Sequence, residues 1–155
     1  AGAASELSNV GVVMGTFDYM APEAGLGGAK DLDPTGPERD VYAVGIMHYR
    51  LLKQKLPTDF GDGSAASLKF ARFVDSGERP LKDVNGLDAL TRGLLTQMTE
   101  PDPKSRLVDF DHIEVRLLQI IRAEAETAAA ARTLAAAQAA EEDEQSGIDG
   151  PPKED

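Results

Sequence analysis

The sequence predicts a mainly helical fold with no convincing strand, and three observations carry that reading. From Asp40 to Leu52, DVYAVGIMHYRLL, apolar side chains point in every direction around a 3.6-residue turn. The polar interruptions, His48 and Arg50, lie about 200° apart and form no wet stripe. Second, Leu87, Leu90, Leu94 and Met98 recur at i, i+3, i+7 and i+11, the signature of one amphipathic face. Third, Ile113, Leu117, Ile120 and Ile121 form a further apolar stripe. A chain of 155 residues is long enough to bury a core around such helices.

Each element has its own justification. Ala1 to Val13 is small and polar with no helical period, and reads as extended or mobile. Gly15 to Glu23, GTFDYMAPE, is turn-rich, with Pro22 placed to open a short helix. A loop rich in Gly, Pro and Asp runs from Ala24 to Arg39. The central helix then begins with Asp40 as N-cap and stops at Pro57, with Lys53 and Lys55 at the negative end of its dipole. Being apolar all round, it is expected to be wrapped by its neighbours. It is too short to span a membrane, which takes about 20 apolar residues. After a turn at Thr58 to Gly63, Ser64 is expected to cap a helix carrying Leu68, Phe70, Phe73 and Val74. Ser76 to Gly86 is a loop, and Pro101 and Pro103 end the helix of the leucine series. Asp109 or Asp111 can cap the last helix. Beyond Arg122 its apolar residues shrink to alanine, which favours helix but buries little. Glu141 to Asp155 is expected to be a disordered acidic tail.

The formal charge of −11 is uneven: Arg122 to Asp155 holds three basic and nine acidic residues. An acidic chain with no basic cluster argues against nucleic acid or an anionic membrane as partner. There is no cysteine, so disulfide and thiol chemistry are absent. No signal peptide or transmembrane run is visible, and a cytoplasmic location is expected.

Taken in order, four motifs carry a resemblance. GTFDYMAPE resembles the end of the activation segment of eukaryotic-type serine/threonine protein kinases, typically Gly-Thr-x-x-Tyr-x-x-Pro-Glu. Asp40-Val41-Tyr42-Ala43-Val44-Gly45 is similar to the start of the hydrophobic helix that organises the kinase C-terminal lobe. Leu56-Pro57 resembles the leucine-proline that follows it, and Asp102-Pro103-Lys104-Ser105-Arg106 the family's Asp-Pro-x-x-Arg before the last helix. The resemblance implies the helical C-terminal lobe of the protein-kinase fold, without the N-terminal β lobe and catalytic loop. Residues 1–121 would be a partial kinase domain, and 122–155 an Ala-rich helix extension with the acidic tail.

The resemblance also implies roles. Thr16 would bond near the catalytic aspartate and help position a Ser/Thr acceptor. Gly15, Phe17 and Tyr19 would border the pocket for the residue after the acceptor. Glu23 would pair with Arg106, Asp40 would hold the backbone of the catalytic loop, and Ser8 and Ser5 sit where relatives are often phosphorylated. Read without the resemblance, Thr16 is a turn hydroxyl and Asp40 an N-cap.

Two tripeptides mimic motifs that the family places earlier in its chain. Glu38-Arg39-Asp40 and Asp59-Phe60-Gly61 have nearly the spacing of the catalytic His-Arg-Asp and the metal-binding DFG. The metal-ligating asparagine due five residues after the aspartate is here Gly45, and an apolar helix lies between the two. Both also follow GTFDYMAPE, whereas the family's motifs precede it, so both are read as coincidence. His48 reads as core and His112 as a solvated helix start. A phosphate-covering Gly-rich loop, its lysine, the catalytic aspartate and the Mg²⁺ carboxylates are not found in this sequence. The expectation is therefore a part of a serine/threonine kinase, inactive alone, whose ATP and Mg²⁺ belong to the parent protein, and in which part of Val41 to Leu52 lacks the cover that the family's preceding helix and catalytic loop supply. Its partners would be protein substrates and the rest of the kinase domain. The alternatives are a kinase-derived docking or scaffold module and a plain helical domain.

Overall fold

A computed structural model describes residues 17–25 and 36–146, with side chains described through 143. Four α-helices account for most of them, α1 (Pro37–Lys53), α2 (Ser64–Ser76), α3 (Ala89–Met98) and α4 (Phe110–Ser146). Three short 3-10 turns, Phe17–Tyr19, Pro22–Ala24 and Pro103–Ser105, complete the elements. The chain divides into two units, Ala1–Glu114 and Val115–Asp155.

In the first unit α1 packs on α3 and on the Phe17–Tyr19 turn, while α2 packs on both N-terminal turns. α1 starts at Pro37, not at Asp40: Gly36 is the N-cap, and Glu38 and Asp40 sit in the first turn, where the macrodipole favours acids. It ends when Gln54 turns left-handed at φ 54°, three residues before Pro57. Its buried face is Val41, Tyr42, Gly45, Ile46 and Tyr49. α1 is not wrapped on all sides: Val44, Met47 and Leu51 are 47%, 46% and 72% exposed, the apolar patch expected where part of the helix lacks its cover. Gly45 explains how closely α1 and α3 meet. A Cβ built there would lie 2.7 Å from Thr99 Cγ2 and 3.1 Å from Met98 Cβ.

α2 begins after Gly63, at φ 73°, with Ser64 as its first helical residue and not its cap. It ends on left-handed Gly77, whose N–H returns to the Val74 carbonyl at 3.1 Å. Phe60, Ala66 and Phe70 form an aromatic core joined by Phe17, Met20, Phe73 and Val74. Phe60 meets Phe70 edge-on with centroids 5.4 Å apart, a favoured arrangement of ring quadrupoles. In α3 the N-cap is Asp88, accepting from Leu90 N at 2.9 Å and Thr91 N at 3.0 Å. The buried face is Thr91, Leu94, Leu95 and Met98, which leaves Leu90 exposed.

α4 is capped by Asp109, which accepts from His112 N at 3.1 Å. Ile113 and Ile120, two turns apart, are buried. Ile121 is exposed, since one residue turns it about 100° off that face. In the second unit every residue from Glu124 to Asp143 is exposed, yet the helix continues to Ser146, past Glu141 where the sequence reading ends it. Alanine, glutamate and glutamine hold helix intrinsically, so no buried face is needed there. Among the described residues no helix is long and apolar enough to cross a membrane.

Candidate functional site

The site is built where GTFDYMAPE meets α1 and the Asp102–Arg106 segment. Asp102 shapes that segment by accepting from Lys104 N at 3.1 Å and Ser105 Oγ at 2.8 Å, which turns Arg106 inward. The guanidinium then uses all five of its N–H donors. Nη1 donates to Glu23 Oε1 and to the Glu38 carbonyl, each at 2.6 Å. Nη2 reaches Glu23 Oε2 at 3.0 Å and the Pro101 carbonyl at 3.4 Å, and Nε the Glu100 carbonyl at 2.9 Å. The Arg106 and Glu23 side chains are 0% and 4% exposed. The pair is thus dry, bidentate and saturated, which is the geometry a buried ion pair needs to offset its desolvation. The Arg106 guanidinium also lies 5.0 Å over the Tyr42 ring. Burial pushes the Tyr42 hydroxyl well above its ordinary pKa, with Arg106 opposing the shift and Glu23 adding to it. Tyr42 therefore stays neutral beside the pair.

The short turn before Glu23 diverges. Phe17 packs on Phe70 with centroids 5.4 Å apart, whereas Tyr19 packs against Ala21, Tyr42 and Ile46. Asp18 fixes the turn by accepting from Phe60 N at 3.0 Å. As a result Phe17 and Tyr19 line two separate hollows. One, of about 300 Å³, lies between Phe17, Met20 and the Ser67–Val74 side of α2. The other, of about 440 Å³, is lined by Tyr19, Met47, Arg50, Leu51 and Gln54, with Arg50 Nη1 donating to the Tyr19 hydroxyl. Asp40 is exposed in the first turn of α1, one to three turns before Val44, Met47 and Leu51 on the same stripe. Gly15, Thr16, Ser5 and Ser8 lie outside the described residues. The sequence reading missed Arg50, which it took only as an interruption of an apolar helix. Its place three turns along from Asp40 was visible, but the Tyr19 partner was not.

No family model matches the chain, and no solved structure matches it. Curated relatives do. The serine/threonine-protein kinase PknL of Mycobacterium tuberculosis is 31% identical over 107 residues, which is 69% of this chain and 25% of PknL. The chain is a relative of the serine/threonine-protein kinases. Pkn1 of Myxococcus xanthus is 26% identical over 76% of this chain, and drp72 of Corynebacterium efficiens 29% identical over 73%. This kinase relative spans a quarter of PknL and a fifth or less of the other two.

Within the kinase-related chain the two motif mimics have ordinary structural roles. Glu38, Arg39 and Asp40 belong to the first turn of α1. Asp59 Oδ1 accepts from Gly61 N at 2.9 Å to make a turn, and Phe60 sits in the aromatic core. Among the described residues no group of three His, Asp or Glu side chains is placed to hold a metal ion.

Proposed function

We propose that this chain supplies the lobe-organising and substrate-positioning part of a serine/threonine protein kinase. The observation that carries the reading is the buried Glu23–Arg106 pair, which fastens the GTFDYMAPE segment to the Asp102–Arg106 segment and, through the Glu38 carbonyl, to α1. A segment held by a saturated ion pair is rigid enough to present its neighbours to a substrate. Thr16 would position a Ser/Thr acceptor, Gly15, Phe17 and Tyr19 would contact the substrate, and Ser8 and Ser5 would take regulatory phosphate. Residues 1–121 would form the kinase part, and 122–155 an appended helix and acidic tail.

The rest of the kinase domain would lie over the exposed stripe of α1. There its catalytic-loop backbone would bond Asp40, and its apolar side chains would cover Val44, Met47 and Leu51. ATP with Mg²⁺, held by the rest of the kinase domain, would supply the transferred γ-phosphoryl group. This chain's residues would orient the acceptor hydroxyl and exclude water around it.

Two measurements test the reading. The purified chain is expected neither to bind Mg·ATP nor to phosphorylate itself. A longer protein containing it is expected to phosphorylate protein Ser/Thr, with Thr16→Ala lowering turnover strongly and leaving ATP affinity nearly unchanged. A longer protein without transferase activity would favour a docking module instead.

A further inference from the structure

Asn85 and Gly86 make the chain's single Asn-Gly pair; the other asparagine, Asn9, precedes the branched Val10. With no Cβ on the following residue, nothing on Gly86 obstructs its nitrogen from meeting the Asn85 carboxamide. The pair sits in the turn Val84–Leu87, closed by Leu87 N donating to the Val84 carbonyl at 3.2 Å, with Gly86 at φ 78°. Both residues are exposed, and a Cβ built on Gly86 would meet no atom within 4 Å. The turn holds Asn85 by its backbone. Its N–H donates to Asp83 Oδ1 at 3.3 Å, and its carbonyl accepts from Lys53 Nζ at 2.6 Å. Lys53, with a side chain only 18% exposed, thus places a cation on the oxygen of the same peptide unit whose nitrogen belongs to Gly86.

We propose that Asn85 is a self-modification site, at which Lys53 promotes attack of the Gly86 nitrogen on the Asn85 carboxamide. Hydroxide from the solvent removes the Gly86 N–H proton. The charge left behind is shared with the Asn85 main-chain oxygen, where the Lys53 ammonium stabilises it. The nitrogen then bonds to Asn85 Cγ, the Cγ–Nδ2 bond breaks, and Nδ2 takes a proton from water and leaves as ammonia. Water opens the resulting cyclic imide. Opening at Cγ leaves aspartate, and opening at the main-chain carbonyl leaves isoaspartate, whose backbone runs through the former side chain. Nothing is oxidised or reduced: an amide and water become a carboxylate and ammonium. The change reaches α1, because Tyr49 Oη donates to the Asp83 carbonyl at 2.8 Å and Lys55 Nζ to Asp83 Oδ2 at 2.7 Å. With the Lys53 bond, these anchor the end of α1 on Asp83 and Asn85. Isoaspartate puts an extra carbon into that anchor's backbone, and the new carboxylate competes with Asp83 for Lys53 and Lys55, so this end of the helix loosens.

The test incubates the purified chain in mildly alkaline buffer and follows its tryptic peptide Asp83–Arg92, DVNGLDALTR, by mass spectrometry, with isoaspartate scored by enzymatic methylation. The peptide is expected to take on the mass of the acid and to score as isoaspartate. This should happen faster in the folded chain than in the same chain held unfolded in guanidinium. Lys53→Gln is expected to slow the reaction roughly fivefold, within the weight of one charge-assisted hydrogen bond. Lys53→Arg, which keeps the cation, should retain most of the rate, a rescue that a merely structural role does not require. Lys55→Gln, which removes a cation bonded to Asp83 and not to Asn85, should leave the rate nearly unchanged. Helical circular dichroism checks the fold of each variant. Should Lys53→Gln fail to fold, the comparison of folded with unfolded wild-type chain decides alone. An Asn85 that stays an amide, a faster reaction in guanidinium than in the folded chain, or equal rates for wild type and folded Lys53→Gln overturns the proposal. No readout here depends on phosphate transfer.

Discussion

Glu23 and Arg106 are 83 residues apart in sequence and face each other in a dry two-point contact, Oε1 to Nη1 at 2.6 Å and Oε2 to Nη2 at 3.0 Å. Three backbone carbonyls take the guanidinium's other donors. The contact therefore joins three stretches of backbone, and its loss is felt by all of them.

Glu23→Gln and Arg106→Leu are each expected to destabilise the chain by about 3–5 kcal/mol, because either leaves a buried charge without its partner. Arg106→Lys should rescue little, since an ammonium has three donors and cannot reproduce the planar fork. Urea unfolding followed by circular dichroism checks this. A loss below about 1 kcal/mol, the worth of an exposed pair, would contradict the burial seen here.

Gly45→Ala is expected to cost about 1–3 kcal/mol, because its Cβ would press on Thr99 Cγ2 at 2.7 Å. Thr99→Ser removes that methyl while keeping the hydroxyl that donates to the Leu95 carbonyl at 2.8 Å. The double variant should therefore recover part of the loss, and a double-mutant cycle on thermal melts measures how much.

Acid should loosen the first unit. The Lys55 hydrogen bond holds the Asp83 carboxyl below its usual range, and the Thr91 side chain and backbone N–H groups do the same for Asp88. Asp102 is lowered by the Ser105 hydroxyl and the Lys104 N–H. A folded-state pKa below the unfolded value of about 3.9 gives stability that is full above that pH and lost as pH falls through the folded value. Melting temperature is expected to fall with pH below about 4, and Asp83→Asn with Asp88→Asn should flatten the slope. An unchanged slope in the double variant would remove both groups from the linkage.

The uncovered stripe of α1 should make the isolated chain sticky. Each large apolar side chain left wet forgoes about 1.5–3 kcal/mol of burial, a large share of the roughly 5–15 kcal/mol that stabilises a domain. We expect the chain to bind a hydrophobic dye and to self-associate in light scattering. Met47→Gln with Leu51→Gln should suppress both without lowering the melting temperature. A cooperative, monomeric melt without dye binding in the wild-type chain would show the stripe to be inert.

Much of the helical order was legible in the residues, because apolar period and helix propensity are local properties. Leu94 and Met98 lie at a spacing that a helix must put on one face, and both are buried. Helix ends were less legible. Asp40 and Ser64 are good caps by residue type, but Pro37 and Gly63 start their helices earlier or differently, and backbone geometry outweighs side-chain preference there. The last helix runs past Glu141 to Ser146 because the helix propensity of the alanines before it outweighs the acidic composition that follows.

The sequence by itself determined that the chain is helical, that GTFDYMAPE and the Asp102–Arg106 segment belong with one family, and that α1 is too apolar to be a surface helix of ordinary kind. Only the tertiary structure decided which face of α1 is buried, that Phe17 and Tyr19 part to separate hollows, and that Arg50 meets Tyr19. Periodicity shows which residues share a face of a helix. It does not show what lies against that face, because contacts between residues 31 or 83 positions apart depend on how the helices pack and not on either local stretch.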